Sequence, residues 1–203
     1  MSGLLGWGGG IAPTAFPLSR YFRESDVKGL DSSEEIVALN RRCCDETKAR
    51  NLSFELFDLA NRYEGHPFDV VVFADIARSY SLDSALVRSA ASLVAPGGLF
   101  VMVVPSRDQI ERHYSAGRTI DAGFSNSEIR MAIEEGGLEL SRTRTIMGPL
   151  AGYLDFALRH LSTISFHLVV FLFPFLLALS SFDLLLSPGR GNALLVTATR
   201  PRN

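Results

Sequence analysis

A glycine cluster near the amino terminus is followed, at a characteristic distance, by an acidic residue. Residues 8 to 12 read Gly-Gly-Gly-Ile-Ala, and Asp31 stands at the end of the next apolar run. Gly10 and Asp31 are 21 positions apart. Glycines after a strand let the backbone approach a ligand closely, and an acidic residue about 20 positions on can accept the hydroxyls of a ribose. The spacing therefore indicates a nucleoside-binding unit.

The details of the glycine loop argue against a dinucleotide. A G-x-G-x-x-G fingerprint that begins at Gly8 requires Gly or Ala at position 13, where the chain has Pro13. The pattern that fits is G-x-G-x-[GA], formed by Gly8, Gly10 and Ala12. Nicotinamide and flavin cofactors are therefore disfavoured.

Strand-like and helix-like segments alternate along the chain, which predicts an α/β fold with a parallel sheet covered on both faces. A helix over residues 33–48 is expected to begin with a capping box of Ser32 and Glu35, and a later helix with one of Ser125 and Glu128. After the glycine loop, residues 27–42 are expected to form a strand followed by its helix. Further strands are expected within 52–59, 68–76, 93–105, 138–146 and 192–200.

Two connections have distinctive sequences. Nine residues, Leu59 to Pro67, separate the third and fourth strands, which is too few for a crossover helix. An extended link of roughly 30 Å is still long enough to make that connection. Pro96-Gly97-Gly98 is interpreted as a turn into the fifth strand. Asp69, at the start of the fourth strand, is expected to face solvent or to be paired.

The order of these segments resembles that of the class I S-adenosylmethionine-dependent methyltransferases. The resemblance implies a Rossmann-like doubly wound sheet, mostly parallel with an antiparallel last strand, and S-adenosylmethionine as cofactor. It covers roughly residues 4–146 and 191–200. The segments that carry it are motif I, LLGWGGGIAPTAFPLS at 4–19, followed by VKGLDSSEEIVALNRR, LSFELFDL, FDVVVFADI and LVAPGGLFVMVVP.

The same resemblance implies a cofactor site and no metal. Asp31 corresponds to the ribose acceptor and Asp58 to the acceptor of the adenine amino group. Each has a structural alternative, since Asp31 can cap the following helix, Asp58 can be a turn residue, and the glycines can form only a turn. The cofactor contacts are assigned to Gly8, Gly9, Gly10, Asp31, Ser32, Asp58, Leu59 and Ala74.

The chain departs from the family pattern in two places. Gly6 stands where the family usually has Asp or Glu against the amino acid end of the cofactor. At most seven residues precede Gly8, whereas family members normally carry a helical segment that covers cofactor and substrate. The expectation is either that the biological start lies upstream or that the protein is a degenerate member.

No catalytic residue is assigned. Methyl transfer needs mainly an acceptor held in line with an activated methyl group and the exclusion of water, and a base only for some acceptors. His113, Tyr114 and Asp75 are candidates by position, but a solvated histidine and a turn aspartate are the plainer interpretations.

Composition indicates one enzyme-sized domain over residues 1–203. Lysine and arginine total 20 against 22 acidic residues, without a run of either, so a nucleic-acid surface is not expected. Cys43 and Cys44 are adjacent and are interpreted as reduced cytoplasmic thiols. The amino terminus shows no basic region followed by a long apolar stretch, so a signal peptide is not expected. The expected location is the cytoplasm, with or without membrane association.

Residues 148–190 are an apolar insertion before the last strand, interpreted as two helices separated at Pro174. They are expected to pack on the core or a second copy, or to form a wall for a lipophilic substrate that also touches a membrane surface. Residues 161–182 lack Asp, Glu, Lys and Arg over 22 positions, which is long enough to span a bilayer. A span is not expected, because the flanking strands must return to the same sheet.

The function expected from these observations is S-adenosylmethionine-dependent methyl transfer to a small or lipophilic acceptor. Two alternatives remain open. One is a catalytically degenerate methyltransferase-like binding or assembly module. The other is a protein anchored to a membrane through residues 161–182.

Overall fold

The computed structural model describes residues 3–7, 14–61, 63–73, 84–106, 124–146 and 193–202. Within these ranges the chain forms one sheet with helices on both faces. The strands are β1 (Gly3–Trp7), β2 (Asp26–Asp31), β3 (Leu52–Leu56), β4 (Phe68–Phe73), β5 (Val94–Pro105), β6 (Glu139–Ile146) and β7 (Ala193–Thr199). The helices are α1 (Ala15–Tyr21), α2 (Glu34–Thr47), α3 (Ser84–Ser92) and α4 (Asn126–Glu135).

The strand order across the sheet is β3-β2-β1-β4-β5-β7-β6. Strands β1 to β5 pair in parallel, and β7 lies antiparallel to both β5 and β6. The expected doubly wound sheet, mostly parallel with an antiparallel last strand, is therefore confirmed. The apolar insertion at 148–190 lies outside the described residues.

Each face of the sheet carries its own hydrophobic core, because side chains alternate along a strand. On the face that we call the α1 face, Val27, Leu52 and Phe54 pack with Ala15 of α1 and Val37 of α2. The opposite face, the α3 face, carries the larger core, in which the strands pack against α3 and α4. Among its deeply buried members are Val71, Phe73, Phe100, Met102, Val104, Val196 and Ala198 from the strands and Val87 and Ile133 from the helices.

A glycine in β2 makes room for the core of the α1 face. Gly29 pairs in register with Phe54, and a Cβ atom at Gly29 would collide with the Phe54 ring. The ring can therefore lie flat over β2, where Phe16 of α1 packs on it with ring centroids 5.8 Å apart. This contact helps to hold α1 against the sheet.

The two predicted helix caps have different outcomes. At α4, the Ser125 hydroxyl accepts from the Glu128 N–H, and the Glu128 carboxylate accepts from the Ser125 N–H, so this capping box is confirmed. At α2, the box of Ser32 and Glu35 is wrong by one residue. Ser33 is the N-cap, and its Oγ accepts from the Ile36 N–H. The reason is that the carboxylate of Asp31 already binds the Ser33 N–H, which sets the start of the helix one residue later.

The predicted turn at residues 96–98 is instead a bulge within β5. The register between β4 and β5 shifts there, and Gly97 has a φ of 77°, a value that favours glycine. The bulge is held by the end of β7, since the Gly97 N–H donates to the Arg200 carbonyl and the Arg200 N–H donates to the Gly98 carbonyl. The antiparallel partner thus keeps this segment in the sheet.

The link between β3 and β4 and the start of β4 agree with the sequence. The described residues between β3 and β4 contain no helix, as their number required. The exposed Asp69 is paired, because its carboxylate accepts from the Gly3 N–H at 2.8 Å. No helix in the described ranges is long and apolar enough to cross a membrane. Residues 161–182 lie outside those ranges.

Asn51 joins α1 to the sheet. Its Nδ2 group donates to the carbonyl oxygens of Ser19, Phe22 and Ser25 at 3.0 to 3.1 Å. Ser19 and Ser25 are buried, so water does not readily replace this donor. One side chain amide, with its two hydrogens, therefore links three carbonyls where α1 ends and β2 approaches, and of these the Phe22 carbonyl also accepts from the Ser25 N–H.

We expect Asn51→Ala to lower the free energy of unfolding by about 1 to 3 kcal/mol, the cost of leaving buried carbonyls unsatisfied. Asn51→Asp should cost more, because a carboxylate has the same shape but faces the three carbonyls with negative charge. Urea unfolding of the three proteins measures the order. An Asp variant as stable as the wild type would contradict this role.

Lys28 forms a small polar cluster on the α3 face. Its Nζ lies 2.8 Å from the Glu55 carboxylate and 3.3 Å from the Tyr63 hydroxyl. The hydrogen bond to Glu55 raises the pKa of Lys28 above its usual value, against a smaller opposing effect of burial. A raised pKa means that the folded state holds this proton more tightly than the unfolded chain does.

The contribution of Lys28 to stability should therefore be complete below the ordinary lysine pKa of about 10.4 and be lost as the pH rises through the higher folded value. We expect the difference in free energy of unfolding between wild type and Lys28→Met to shrink as the pH rises from 9 to above the pKa of Lys28 in the folded protein. Lys48→Met is the control, since Lys48 is exposed and has no ion pair among the described residues. A Lys28 difference that stays constant across this range would refute the assignment.

Candidate functional site

The carboxyl ends of β1, β2, β3 and β4 lie side by side along one edge of the sheet. In the register, Trp7 pairs with Leu30 and with Phe73, and Asp31 pairs with Leu56. From β1 the chain proceeds outward to β2 and β3, then crosses back to place β4 on the other side of β1. Such a reversal opens a crevice at the carboxyl edge, which is where ligands bind in open α/β sheets.

Asp31 stands at this edge as the last residue of β2. Its Oδ1 atom accepts from the Ser33 N–H at 2.9 Å, and its carbonyl accepts from the Phe57 N–H at 2.9 Å. The first bond is an Asx turn that leads into α2. Oδ2 accepts no hydrogen bond from the described residues, and the side chain is only partly buried. The carboxylate is thus oriented by one oxygen and has acceptor capacity left on the other.

Ser32 is the exposed residue between the Asx turn and the helix cap. Its position is determined on both sides, by the Asp31 carboxylate before it and the Ser33 cap after it. The structure therefore places Ser32 next to Asp31 at the carboxyl edge.

Asp58 lies just beyond the end of β3, the strand that pairs with β2 beside Asp31. Its Oδ1 accepts from the Ala60 N–H at 3.0 Å, and its carbonyl accepts from the Asn61 N–H at 2.9 Å. Asp58 is therefore a turn residue, which was the structural alternative, and its side chain is also exposed at the same edge as Asp31. The two roles are compatible because a carboxylate has several acceptor positions.

Leu59 can contribute to this edge only through its backbone. Its side chain is 3% exposed and belongs to the large core of the α3 face. Its N–H donates to none of the described residues. The Asp58 turn thus leaves a backbone donor beside a carboxylate acceptor at the end of β3.

Apolar side chains that the sequence analysis did not single out flank the two carboxylates. Leu56 is 50% exposed and pairs with Asp31, so the two side chains are on the same face of the sheet. Phe57 is partly buried against Tyr63, with ring centroids 5.2 Å apart. Leu56 is the last residue of the observed strand β3, and within the predicted strand of 52–59 it resembles any other strand residue, so the sequence carried no signal that marked it.

The structure places four of the assigned residues at one edge of the sheet, and the others lie outside the described residues. Asp31, Ser32, Asp58 and Leu59 meet there, as described above. The glycine loop from Gly8 to Gly10, Ala74, and the catalytic candidates Asp75, His113 and Tyr114 lie outside the described residues. Within the described ranges no group of histidine, cysteine, aspartate and glutamate is arranged to hold a metal ion.

Comparisons with other proteins rest on structure alone. No family model and no curated protein sequence matches the chain. Among solved structures, it is similar to the (4+2)-cyclase SpnF, with a TM-score of 0.69, 15% identity, and 100% of this chain and 76% of that one covered. It is also similar to magnesium protoporphyrin IX methyltransferase from Synechocystis PCC 6803, with a TM-score of 0.62, 17% identity, and 97% and 73% covered.

A third similar structure is the N-methyltransferase NodS from Bradyrhizobium japonicum WM9, with a TM-score of 0.57, 15% identity, and 98% of this chain and 86% of that one covered. Together with the strand order and the antiparallel β7, these likenesses show that the chain has the Rossmann-like fold of the class I S-adenosylmethionine-dependent methyltransferases. Because the identities are low, they establish the fold and not the reaction.

A pair of substitutions separates the role of Asp31 in the Asx turn from the role of its negative charge. The Asx turn needs an oxygen at Oδ1, and asparagine supplies one, whereas alanine does not. We expect Asp31→Asn to unfold at nearly the wild-type urea midpoint and Asp31→Ala to lose about 1 kcal/mol, the value of one hydrogen bond. Equal stability of the Asn and Ala variants would show that the turn bond does not contribute.

Proposed function

We propose that this protein binds S-adenosylmethionine and transfers its methyl group to a small or lipophilic acceptor. The observation that carries the proposal is the Asp31 carboxylate at the switch point of the sheet, held by one oxygen and with the other unengaged among the described residues. It lies 21 residues after the glycine cluster, at the distance that suits a ribose acceptor.

The neighbouring strand supports the same cofactor. The Asp58 carboxylate can accept a further hydrogen bond, and the Leu59 N–H, which has no acceptor among the described residues, can donate one; this pair matches the amino group and a ring nitrogen of an adenine. The exposed Leu56 supplies an apolar surface between Asp31 and Asp58 for the flat base. One of the similar structures, magnesium protoporphyrin IX methyltransferase, was crystallised with S-adenosylhomocysteine and also with S-adenosylmethionine.

In this proposal the residues at the carboxyl edge bind and orient rather than react. Asp31 and Ser32 hold the ribose, while Asp58 and Leu59 hold the base. When bound, the cofactor supplies a methyl group activated by its sulfonium, so that alignment of the acceptor is the main remaining requirement. Asp75, His113 and Tyr114 remain candidates for a base, and no catalytic residue is proposed.

The character of the acceptor is inferred from where the apolar insertion joins the sheet. Ile146, the end of β6, and Ala193, the start of β7, pair at the edge where β5 ends. Residues 147–192 therefore leave and re-enter the sheet at the edge where the cofactor is proposed to bind. A largely apolar segment at that position favours a small or lipophilic acceptor over a nucleic acid.

A second candidate function is binding without methyl transfer. Gly6 lies in β1 where related enzymes usually have an acidic residue, so one anchor for the amino acid end of the cofactor is missing. The similar cyclase SpnF is named for another reaction. A cofactor titration does not separate these two functions, but methylation of any acceptor by the purified chain does.

The test of cofactor binding uses Asp31→Asn, which is designed to keep the Asx turn while it removes the negative charge. Hydrogen bonds to a charged group contribute roughly 1.5 to 3 kcal/mol each, so the variant should bind S-adenosylhomocysteine at least about tenfold more weakly in calorimetry. Asp26→Asn is the matched control, because Asp26 is an exposed carboxylate at the other end of β2.

Unchanged affinity in the Asp31 variant, or equal losses in both variants, would refute Asp31 as the ribose acceptor. Tighter binding of a nicotinamide dinucleotide than of S-adenosylhomocysteine by the wild type would refute the choice of cofactor. Thermal midpoints of the three proteins without ligand show whether any loss reflects folding.

A further inference from the structure

The α1 face of the sheet is covered by described helices over only part of its width. Helices α1 and α2 pack across β1, β2 and β3, and their core reaches Val70 on β4. Helices α3 and α4 pack on the opposite face. Beyond Val70, no helix of the described ranges packs on the α1 face of β5 and β7.

This part of the α1 face, on which no helix of the described ranges packs, is apolar. The register brings its members into rows, since Val72 pairs with Val101, and Val103 pairs with Leu195. Each of these side chains is partly buried, whereas the residues between them, on the α3 face, are fully buried. We call this surface the β5–β7 patch; it consists of Val72, Leu99, Val101, Val103 and Leu195, with Thr197 and Thr199 at its outer side.

Polar residues bound the patch on the side of the edge strand. Arg142 and Arg144 on β6 pair with Thr197 and Leu195, so they lie on the α1 face, and both are exposed. The apolar surface therefore ends at β7, and its occupant has to cover β5 and β7 without extending over β6. Water contact with the aliphatic side chains of this face is unfavourable, because each loses the free energy that burial of apolar area provides.

The chain outside the described ranges contains a segment of suitable length and position. Residues 147–192 number 46, and they leave from Ile146 and return at Ala193, which are direct partners on the α1 face. The patch is about 23 Å long, given the seven residues of β5 from Leu99 to Pro105. A helix of about 15 residues has that length, so 46 residues suffice for two passes with turns.

The composition of the segment also suits the patch. Residues 161–182 contain no aspartate, glutamate, lysine or arginine, and Pro174 divides them. An apolar run of this kind must be buried in protein or lipid, and the β5–β7 patch is an apolar surface on the face where the segment begins. Tethering at both ends gives it a high effective concentration over that surface, which a second copy of the chain lacks.

We propose that residues 147–192 pack on the β5–β7 patch of the same chain, as the cover of the α1 face over β5 and β7. The segment then completes the two-sided burial of the sheet and lies beside the carboxyl edge. This inference does not depend on the proposed methyl transfer, since it concerns only the sheet face and the segment that joins β6 to β7.

The test places a photocrosslinking amino acid, p-benzoylphenylalanine, at Thr197 in the full chain. The matched control is Thr143, which lies on the adjacent strand but on the α3 face and is exposed. After irradiation and proteolysis, mass spectrometry should find crosslinks from position 197 to peptides of 148–190 within one chain, and far fewer from position 143. A variant at the exposed Arg142, on the same face as Thr197, serves if substitution at 197 prevents folding.

Three outcomes would overturn the proposal. Crosslinks from position 197 that join two chains, seen as a covalent dimer whose yield rises with protein concentration, would show that a second copy covers the patch. Crosslinks only to residues before β1 or to other loops would assign the cover to another segment. Equal crosslinking of 148–190 from positions 197 and 143 would show that the segment has no preferred face.

Discussion

The central strand β1 organises the described part of the sheet. It pairs in parallel with β2 on one side and with β4 on the other, so the chain has to reverse its direction of travel across the sheet at this strand. Parallel pairing requires crossovers, which place helices on both faces and the strand ends at one edge. The reversal at β1 opens that edge, and the proposed cofactor site is a consequence of it.

Local hydrogen bonds then determine which groups at the edge remain available. Asp31 is connected to α2 through its Oδ1 and to the end of β3 through its carbonyl, and these bonds orient its other carboxylate oxygen. Asp58 is arranged in the same manner one strand away. Both residues thus hold their own turns in place, and both still present an acceptor. The same geometry is therefore compatible with both the structural and the functional interpretation of these two aspartates.

Some details could be predicted from the sequence because they depend on residues close together in the chain. Others could not, because they depend on other contacts that only the fold brings about. The capping box of Ser125 and Glu128 depends on residues three positions apart, and it was found where expected. The cap of α2 moved from Ser32 to Ser33 because a strand-end carboxylate competes for the Ser33 N–H. Residues 96–98 form a bulge instead of a turn because Arg200, about a hundred positions later, pairs with them. The motif cannot reveal that partner.

The sequence by itself determined the class of sheet, the order of its segments and the positions of Asp31 and Asp58 at strand ends. The alternation of strands and helices and the spacing of Asp31 from the glycine cluster are local in the chain, whereas the antiparallel last strand and the place of Asp58 came from the resemblance to the class I methyltransferases. Only the tertiary structure decided that Leu59 is a core side chain, that Leu56 is exposed beside Asp31, and that the β5–β7 patch lies where residues 147–192 join the sheet. Strand residues alternate between two faces, and which face is covered depends on helices that pack from distant parts of the chain.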